Sequence, residues 1–390
     1  MIPVDEARAH LLSLVAPLPT ETVDLVDAAG RVLAEDVHAR REQPPFAASS
    51  MDGYAIKGVE ADLHAQFKVV GEAAAGHRFS GTARAGQAVR IFTGAPMPDG
   101  TDFVVIQEDV GRSGDVITIT TDPKGKSNVR PAGGDFAKGA PLTGGRVLMP
   151  QDIALLASMN IARVPVVRKP RVALISTGDE LVLPGEEPGP DQIVASNTFG
   201  LKTMLQANGA EARMLPVARD TLSSLRMAFS LADGADLIVT VGGASVGDHD
   251  LVAEAAEELG LERAFYKVAM RPGKPLMAGR MGPTAMVGLP GNPVSAMVCG
   301  QIFLLPMIRA MLGLSTDKPA LLSAPLAAPL EQNGPREHYM RARIEDGAIT
   351  AFDRQDSSLL TVLAAANALL VRPPHDPARA AGEVVHYLQI

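Results

Sequence analysis

Cysteine and aromatic residues are scarce in this sequence, and each scarcity excludes a class of structure. Cys299 is the single cysteine among 390 residues, so no disulfide can form within the chain and no site of several thiolates can hold a metal ion. Its apolar neighbours Met297 and Val298 favour a buried thiol over a reactive one. Aromatic residues make up 4% of the chain and tryptophan is absent, so we expect cores built from Leu, Val, Ala and Met.

An excess of positive charge and a long apolar run are also lacking. The formal net charge is −8, which argues against nucleic acid as the main partner, because a duplex-binding surface is basic. The N-terminus lacks the charged-then-apolar pattern of a signal peptide, and no apolar run is expected to approach the length of a membrane span. We therefore expect a soluble, cytoplasmic protein that binds neither nucleic acid nor a membrane.

The length of the chain and its 46% content of hydrophobic residues predict several domains with substantial cores. Apolar residues at helical spacing from Val4 predict an amphipathic first helix, and a helical pattern returns at residues 151–158. Between these helices, short β-type runs alternate with Gly, Pro and Asp turns. We therefore predict a split N-terminal α+β domain, residues 1–43 plus 140–169, with an inserted small β domain, residues 44–139.

Strand-like and helical patterns alternate over residues 170–317. This order predicts a central doubly wound α/β domain with a mainly parallel sheet. Thr221 and Asp250 are expected to cap helices, and Pro306 is expected to kink the last helix of the domain. The expected strands are residues 172–175, 214–217, 237–241 and 285–287.

The last part of the chain, residues 318–390, is β-like again. Asp346-Gly347 between two apolar runs is a strong hairpin signal. We predict a small C-terminal β domain, which gives the chain four domains in all.

Polar or glycine-containing loops follow every strand of the predicted central sheet. In an open parallel sheet, ligands bind beyond the carboxyl ends of the strands, so these loops predict a ligand crevice. Mg²⁺ takes one or two carboxylates together with waters and phosphate oxygens. The acidic residues in the loops therefore predict a magnesium site. Two alternative interpretations remain open: that Asp250 only caps a helix, and that Asp220 is only a turn residue. The acidic residues of this predicted site are Glu180, Asp220, Asp248 and Asp250.

The segment 288–295 predicts a rigid turn that binds an anion. Its glycines and prolines restrict the backbone, and Pro293 suits the first turn of a helix whose amides face outward without partners. Upstream, a second turn rich in proline and glycine carries Arg271 and Lys274. Together the two turns predict a binding site for a tetrahedral oxyanion. Lys267 also precedes the turn, but an ordinary surface lysine is an equally good interpretation of it.

Two other catalytic motifs are considered and set aside. Residues 243–247 match the G-x-S-x-G nucleophile elbow, with Ser245 as the nucleophile. The histidines that follow this motif all lie in the predicted C-terminal β domain, except the one between the next two carboxylates, which argues against a serine hydrolase. The two carboxylates directly after the motif favour metal or phosphate chemistry instead. The eight histidines show no H-E-x-x-H spacing, which argues against zinc-dependent hydrolysis.

An ordered series of motifs resembles the molybdopterin molybdenumtransferase family, which includes MoeA and the E domain of gephyrin. The likeness runs over essentially the whole chain, and the ordered series is far more specific than any one motif. The matching segments include Met51-Asp52-Gly53-Tyr54-Ala55, Thr93-Gly94-Ala95-Pro96, Asn128-Val129-Arg130, Ser176-Thr177-Gly178-Asp179-Glu180, residues 242–250, Pro272-Gly273-Lys274-Pro275 and residues 288–295.

The resemblance implies a multidomain α/β and β fold whose central domain is similar to MoaB and Mog. In that family adenylated molybdopterin and molybdate react, with Mg²⁺, to give molybdenum cofactor and AMP. The resemblance also implies a homodimer with a shared active site, and molybdopterin adenylyltransferase as the donor of the substrate.

The family's functional residues can be carried over by motif. Asp52, Thr93 and Asp135 would come from the partner subunit. The full catalytic group would be Asp52, Thr93, Asp135, Glu180, Asp220, Asp248 and Asp250. Molybdate and the pterin phosphate would be bound by Lys267, Arg271, Lys274, Gly288, Pro290, Gly291, Asn292, Pro293, Ser295, Arg341, Ser357, Gly242, Gly243 and Ser245.

Some positions depart from the family pattern. Arg271 stands where lysine is more usual, which keeps the charge but changes its geometry. Asp356 brings a negative charge next to Ser357.

Two further functions remain open. The central domain could serve a nucleotide pyrophosphatase, or the protein could be a scaffold that binds the pterin without turnover.

Overall fold

The computed structural model describes residues 1–123, 125–243, 251–318 and 320–390. The chain forms two compact units. The first comprises Met1–Glu21, Gly30–Ala34 and Val166–Ile390. The second comprises Thr22–Ala29 and Glu35–Pro165. The finer division into four domains stays a prediction.

The helices in the described residues are α1 (Val4–Ser13), α2 (Pro150–Ser158), α3 (Asn197–Ala207), α4 (Leu222–Leu231), α5 (Leu251–Glu258), α6 (Pro293–Cys299), α7 (Leu305–Met311) and α8 (Leu360–Ala365). A π-helical turn, Gly300–Leu304, joins α6 to α7. Short 3₁₀ turns occur at Leu25–Asp27, Gly58–Glu60 and Gln107–Asp109.

The strands up to residue 167 are β1 (Thr20–Asp24), β2 (Val32–Leu33), β3 (Val37–His38), β4 (Ala48–Ser49), β5 (Gly53–Ile56), β6 (Gln66–Ala73), β7 (Gln87–Ile91), β8 (Phe103–Ile106), β9 (Val110–Ser113), β10 (Val116–Ile119), β11 (Val129–Arg130), β12 (Pro141–Leu142), β13 (Arg146–Val147) and β14 (Arg163–Val167). Those beyond it are β15 (Arg171–Ser176), β16 (Leu181–Val182), β17 (Ile193–Val194), β18 (Glu211–Met214), β19 (Leu237–Val241), β20 (Leu261–Tyr266), β21 (Met270–Arg271), β22 (Met277–Met281), β23 (Thr284–Leu289), β24 (Leu322–Pro325), β25 (Glu337–Glu345), β26 (Ala348–Ala351), β27 (Ala368–Arg372) and β28 (Val384–Gln389).

The first unit is built on a six-stranded sheet in the order β18-β15-β19-β23-β22-β20. The strands from β18 to β23 are parallel, and β22 and β20 are antiparallel to their neighbours. The predicted doubly wound, mainly parallel sheet is confirmed. Because its strands are parallel, their carboxyl ends lie at one edge of the sheet, where the predicted ligand loops begin.

Both faces of this sheet are covered by apolar residues. Along β15, Val172 and Leu174 join one core while Ala173 and Ile175 join the other, as the two-residue period of a strand requires. Helices α3, α6 and α7 cover the first face, and α4 and α5 cover the second. These layers fix the positions of the strand ends.

Several local predictions can now be compared with the structure. Helix α4 begins directly after Thr221, as predicted, and the Thr221 hydroxyl accepts a hydrogen bond from the Ser224 backbone N–H at 3.2 Å, as a cap should. The strand predicted at residues 214–217 lies three residues earlier in the structure, where β18 ends at Met214, so this prediction is wrong in its bounds. Pro216 cannot donate to a ladder, so the strand ends before it.

The apolar helix from Pro293 to Met311 corrects another expectation. It has 19 residues and a mean hydropathy of 1.6, enough by length and composition to cross a membrane, so the expectation that no run approaches this length is wrong. However, 78% of its most apolar window is buried in the protein, as in a core helix of a soluble protein. The irregularity expected at Pro306 is the π-helical turn that directly precedes α7, since proline supplies no N–H to the turn before it.

The C-terminal part of the first unit forms a second sheet in the order β21-β25-β27-β28-β24, with β26 paired to β25. The predicted hairpin is confirmed. Asp346 and Gly347 both have positive φ values, 49° and 80°, and Glu345 pairs with Ala348 across the turn. This sheet carries Arg341 on β25.

The second unit contains a six-stranded sheet in the order β8-β5-β7-β6-β10-β9. The β-rich character predicted for this part of the chain is confirmed. Strand β5 lies between β7 and β8, so Asp52, just before β5, and Thr93, soon after β7, are placed at one end of the strand pair.

Candidate functional site

A cleft of about 820 Å³ opens at the carboxyl ends of β15, β19 and β23. The last residues of two of these strands, Ser176 and Val241, line it. The structure therefore brings eight of the predicted residues together in one place. They are Glu180, Asp220, Gly242, Gly243, Pro290, Gly291, Asn292 and Pro293.

Glycine is required at two positions in the wall of this cleft. Gly242 and Gly243 have φ values of +100° and +66°, which residues with a Cβ rarely adopt. A Cβ on Gly242 would lie 2.5 Å from the carbonyl oxygen of Thr177, and one on Gly243 would overlap the side chain of Val252. The turn after β19 therefore packs so closely against its neighbours that no residue larger than glycine fits at these two positions.

Thr177 is a polar residue of the cleft that the sequence analysis did not single out. It lines the cleft, is 3% exposed, and its hydroxyl has no hydrogen-bond partner among the described residues. An unsatisfied buried hydroxyl costs free energy until a ligand or water pairs with it. Its position one residue past a buried parallel strand was the signal that could have identified it.

The carboxylates in the cleft repel one another. Burial raises the pKa of Asp220, and the nearby charges of Asp179 and Glu180 raise it further. A hydrogen bond from the Asp179 backbone partly opposes this effect. The Asp220 backbone N–H in turn donates to Asp179 Oδ1 at 3.2 Å. A divalent cation would relieve the repulsion, so this donor set fits the oxygen-ligand chemistry of Mg²⁺.

The magnesium site itself stays a prediction. Asp248 and Asp250, like Ser245, lie outside the described residues. Within the described ranges, no group of three or more His, Cys, Asp or Glu side chains is arranged to hold a metal ion.

The start of α6 differs from the expectation in one respect. Pro293 begins the helix as predicted, and Asn197 Nδ2 donates to the Gly291 carbonyl at 2.7 Å, which fixes the preceding turn. However, the Val294 N–H donates to the Ser357 carbonyl at 3.0 Å. The prediction that the amides after Pro293 are free is therefore wrong for Val294. Part of the helix terminus is satisfied by the protein itself.

Two of the predicted cations, Arg341 and Arg271, lie near each other and are called the Arg341 group. The Arg341 side chain is fully buried, and its Nη2 donates to the Asp356 carbonyl at 3.0 Å. Its Nε and Nη1 are buried with no partner among the described residues. Burial lowers the pKa of Arg341, and the positive charge of Arg271 lowers it further. A guanidinium with two donors unused in the described part of the chain, next to a second positive charge, fits an anion.

The other predicted binding residues that the structure describes in the first unit lie outside the lining of the cleft. Gly288 is inside β23, facing Met277 and Thr240, and Ser295 is buried in α6. The Lys267 ammonium lies over the Tyr266 ring, 4.9 Å from its centroid. The whole set is Lys267, Arg271, Lys274, Gly288, Ser295, Arg341 and Ser357. Ser358, next to Ser357, does line the cleft and was missed.

One loop connects the Arg341 group with the cleft. Asp356 accepts from Arg341, Ser357 accepts from the first turn of α6, and Ser358 lines the cleft. Three consecutive residues thus join the buried guanidinium to the cleft wall.

Two of the predicted residues in the second unit are hydrogen-bonded to each other. The backbone N–H and the hydroxyl of Thr93 both donate to Asp52 Oδ1, at 2.7 and 2.8 Å. These bonds lower the pKa of Asp52. Asp135 is exposed, and its backbone N–H donates to the Gln43 carbonyl at 2.9 Å. No described hydrogen bond joins Asp135 to the Asp52–Thr93 pair.

Known families and relatives match this chain over almost its entire length. Family models match for the MoeA N-terminal region (domain I and II) at residues 2–160, a probable molybdopterin binding domain at 173–310 and the MoeA C-terminal region (domain IV) at 323–390. A molybdopterin molybdenumtransferase of Nostoc sp. is 36% identical, covering 95% of this chain and 89% of the relative. One of Haemophilus influenzae is 35% identical, covering 99% and 98%.

The chain belongs to the molybdopterin molybdenumtransferase family. A solved structure of this family, the molybdopterin biosynthesis MoeA protein of Pyrococcus horikoshii, superposes with a TM-score of 0.86 at 28% identity, covering 100% of both chains. The family resemblance and the fold class inferred from the sequence are therefore confirmed.

Proposed function

We propose that this member of the molybdenumtransferase family inserts molybdate into adenylated molybdopterin and releases AMP. Family membership supports a transferase of molybdenum cofactor biosynthesis. The observation that carries the finer proposal is Arg341. Its buried Nε and Nη1 have no partner among the residues that the structure describes, and residues 356–358 connect its side chain to the wall of the cleft.

The two substrates suit the two parts of this site. Molybdate is a tetrahedral dianion, which the unused donors of Arg341 and the charge of Arg271 would hold through charge-assisted hydrogen bonds. The pterin phosphate suits the glycine-rich turns and the Thr177 hydroxyl at the strand ends. Each substrate would therefore bind where groups complementary to its negative charge are found.

The reaction requires little of the protein beyond positioning and charge. Molybdenum is transferred to the two sulfurs of the pterin, and the phosphoanhydride bond to AMP is cleaved, so no protein nucleophile is needed. Holding the two substrates in contact and stabilising the charge that develops on the phosphate account for such catalysis. Glu180 and Asp220 would hold Mg²⁺, together with Asp248 and Asp250. When bound, the ion supplies a positive charge next to phosphate oxygens.

A homodimer with a shared active site is also part of the proposal. In it, Asp52, Thr93 and Asp135 of one subunit complete the cleft of the other. We further infer that the protein acts in the cytoplasm and takes its substrate from a molybdopterin adenylyltransferase.

The decisive experiment measures AMP release from adenylated molybdopterin with and without molybdate. The transferase predicts that AMP release depends on molybdate and is accompanied by the formation of molybdenum cofactor. Equal AMP release without molybdate, and no cofactor formed, would show a nucleotide pyrophosphatase instead. Tight pterin binding with no release of AMP under either condition would indicate a scaffold.

A further inference from the structure

Arg90 lies beside the Asp52–Thr93 pair in the second unit and is not a residue that the family resemblance marks. It is half-buried on β7, directly across from Tyr54 on β5. Its guanidinium carbon lies 5.1 Å from the Tyr54 ring centroid and 4.7 Å from that of Phe92. Both distances are within the range of cation–π attraction.

The hydrogen bonds of Arg90 reach two residues that contact or adjoin Asp52. Nη1 donates to the carbonyl of Gly53, the residue after Asp52, at 3.1 Å. Nη2 donates to Gln107 Oε1 at 2.6 Å, and the Gln107 N–H donates to the Asp52 carbonyl at 3.0 Å. One planar guanidinium therefore contacts Gly53, directly after Asp52, and Gln107, whose backbone bonds the Asp52 carbonyl.

Phe92 extends the same arrangement to the other member of the pair. It immediately precedes Thr93, and its ring packs on the guanidinium. Arg90 thus contacts the residue next to Asp52 and the residue next to Thr93. Lysine could not replace it, because an ammonium group has no planar fork with which to reach Gly53 and Gln107 at once.

The Asp52 carboxylate has one oxygen left for a ligand. Both bonds from Thr93 go to Oδ1, and no donor in the described part of the chain reaches Oδ2. The positive charge of Arg90 is near enough to add to the effect of Thr93 in keeping this carboxyl ionised. A fixed, charged Oδ2 is what a substrate or metal-contacting carboxylate needs.

We propose that Arg90 is a positioning residue for the transferase reaction: its guanidinium, packed against the rings of Tyr54 and Phe92, holds the Asp52–Thr93 pair in its reactive geometry. This inference depends on the proposed function insofar as it assigns the pair to the reaction. The arrangement of the pair can be measured without any turnover.

Two substitutions separate the charge of Arg90 from its geometry. Arg90→Met keeps the length and the packing against the rings but removes the charge and the donors. Arg90→Lys keeps the charge and loses the fork. Arg112→Met is a matched control, because Arg112 is an exposed arginine of the same sheet whose Nε bonds the nearby Gly114 carbonyl.

The first measurement is a titration of the Asp52 carboxyl by ¹³C NMR, assigned with Asp52→Asn. Arg90→Met is expected to raise the pKa of Asp52, and Arg90→Lys is expected to raise it less, because the lysine retains the charge. The Arg112→Met variant should leave it unchanged. An Asp52 pKa that does not move in Arg90→Met would overturn the inference whatever the enzyme's activity.

The second measurement is the rate of molybdate-dependent AMP release at saturating substrate. Both Arg90 variants should lower kcat by roughly tenfold or more, the effect of losing a hydrogen bond to a charged group, with KM much less affected. Wild-type kcat in Arg90→Lys would contradict the role of the fork. If the wild-type protein itself released no AMP, the proposed function would fail while the titration still tested Arg90.

Discussion

Arg341 combines two properties that are rarely found together without a ligand. Its side chain is removed from water, yet the described part of the protein supplies a partner for Nη2 alone. A buried charge that lacks partners destabilises the folded state, so such a residue is retained for a reason other than stability. An anionic substrate accounts for both observations.

Arg341→Met should therefore separate binding from stability. We expect molybdate binding to weaken by roughly tenfold or more through the loss of charge-assisted bonds, while the free energy of unfolding does not fall. Equilibrium dialysis with molybdate and urea unfolding measure the two effects. Arg343→Met, at an exposed position on the same strand, is the control. Unchanged molybdate affinity in Arg341→Met would remove this residue from the site.

His338 on β25 is expected to make the folded protein less stable at acidic pH. Burial, and the positive charges of Arg271 and Arg341, lower its pKa to about 3. The unfolded chain has the ordinary value of about 6.5, so it binds more protons than the folded chain between these two values. His338 therefore reduces stability progressively as the pH falls from about 6.5 towards 3, and it has no such effect above about 6.5.

His338→Gln should reduce this sensitivity to acid. We expect the urea midpoint of the variant to fall less than that of the wild-type protein between pH 7 and pH 5. His77→Gln, at an exposed position, should behave like the wild type. Equal losses in His338→Gln and in the wild-type protein would show that the histidine is not held neutral in the folded state.

At the scale of elements, the turn after β19 shows how close packing forms the cleft. Gly243 has a positive φ and lies against Val252 on α5. A Cβ added to Gly243 would lie 3.1 Å from the Thr177 hydroxyl. The strand end, the turn and the helix therefore share one small volume, and a side chain at residue 243 would fill it.

Gly243→Ala should destabilise the protein by about 2–4 kcal/mol, because it adds the strain of a left-handed residue to an overpacked contact. Gly234→Ala is the control for strain alone. That glycine has φ +75° and nothing within 4 Å of an added Cβ, so about 1 kcal/mol is expected. Urea unfolding compares the two. Equal losses would mean that the turn has room to move.

The sequence was sufficient for the elements whose signals are local. Thr221 capped its helix, and Asp346-Gly347 formed its hairpin. It was insufficient where a distant partner decides. The Val294 amide is used by Ser357, 63 positions later in the chain, and Ser358 lines the cleft where Ser357 was expected. Neither contact leaves a pattern in the neighbouring sequence, so both needed the structure.

At the scale of the whole molecule, the residues assigned to the reaction are divided between two units. Asp52 and Thr93 belong to the second, and Glu180, Asp220 and Arg341 to the first. The proposed homodimer would join the two groups across a two-fold axis, so that each active site takes one group from each subunit.

Mixing two variants, each impaired in one of these groups, tests this sharing. If Asp52→Asn and Arg341→Met subunits exchange at random, half of the dimers are mixed, and each mixed dimer has one intact site. Molybdate-dependent AMP release should then recover to about a quarter of the wild-type rate. Each variant incubated alone is the control. No recovery, despite subunit exchange confirmed by mass spectrometry, would place both groups in one subunit.

Cys299 makes such experiments simpler to carry out. Its thiol is fully buried, and burial raises its pKa, so the reactive thiolate is absent at neutral pH. The native protein is therefore a background in which a cysteine introduced at any exposed position can be labelled selectively with a maleimide dye or a nitroxide. Subunit exchange and ligand-dependent distances can be followed by fluorescence or electron spin resonance without first removing a thiol.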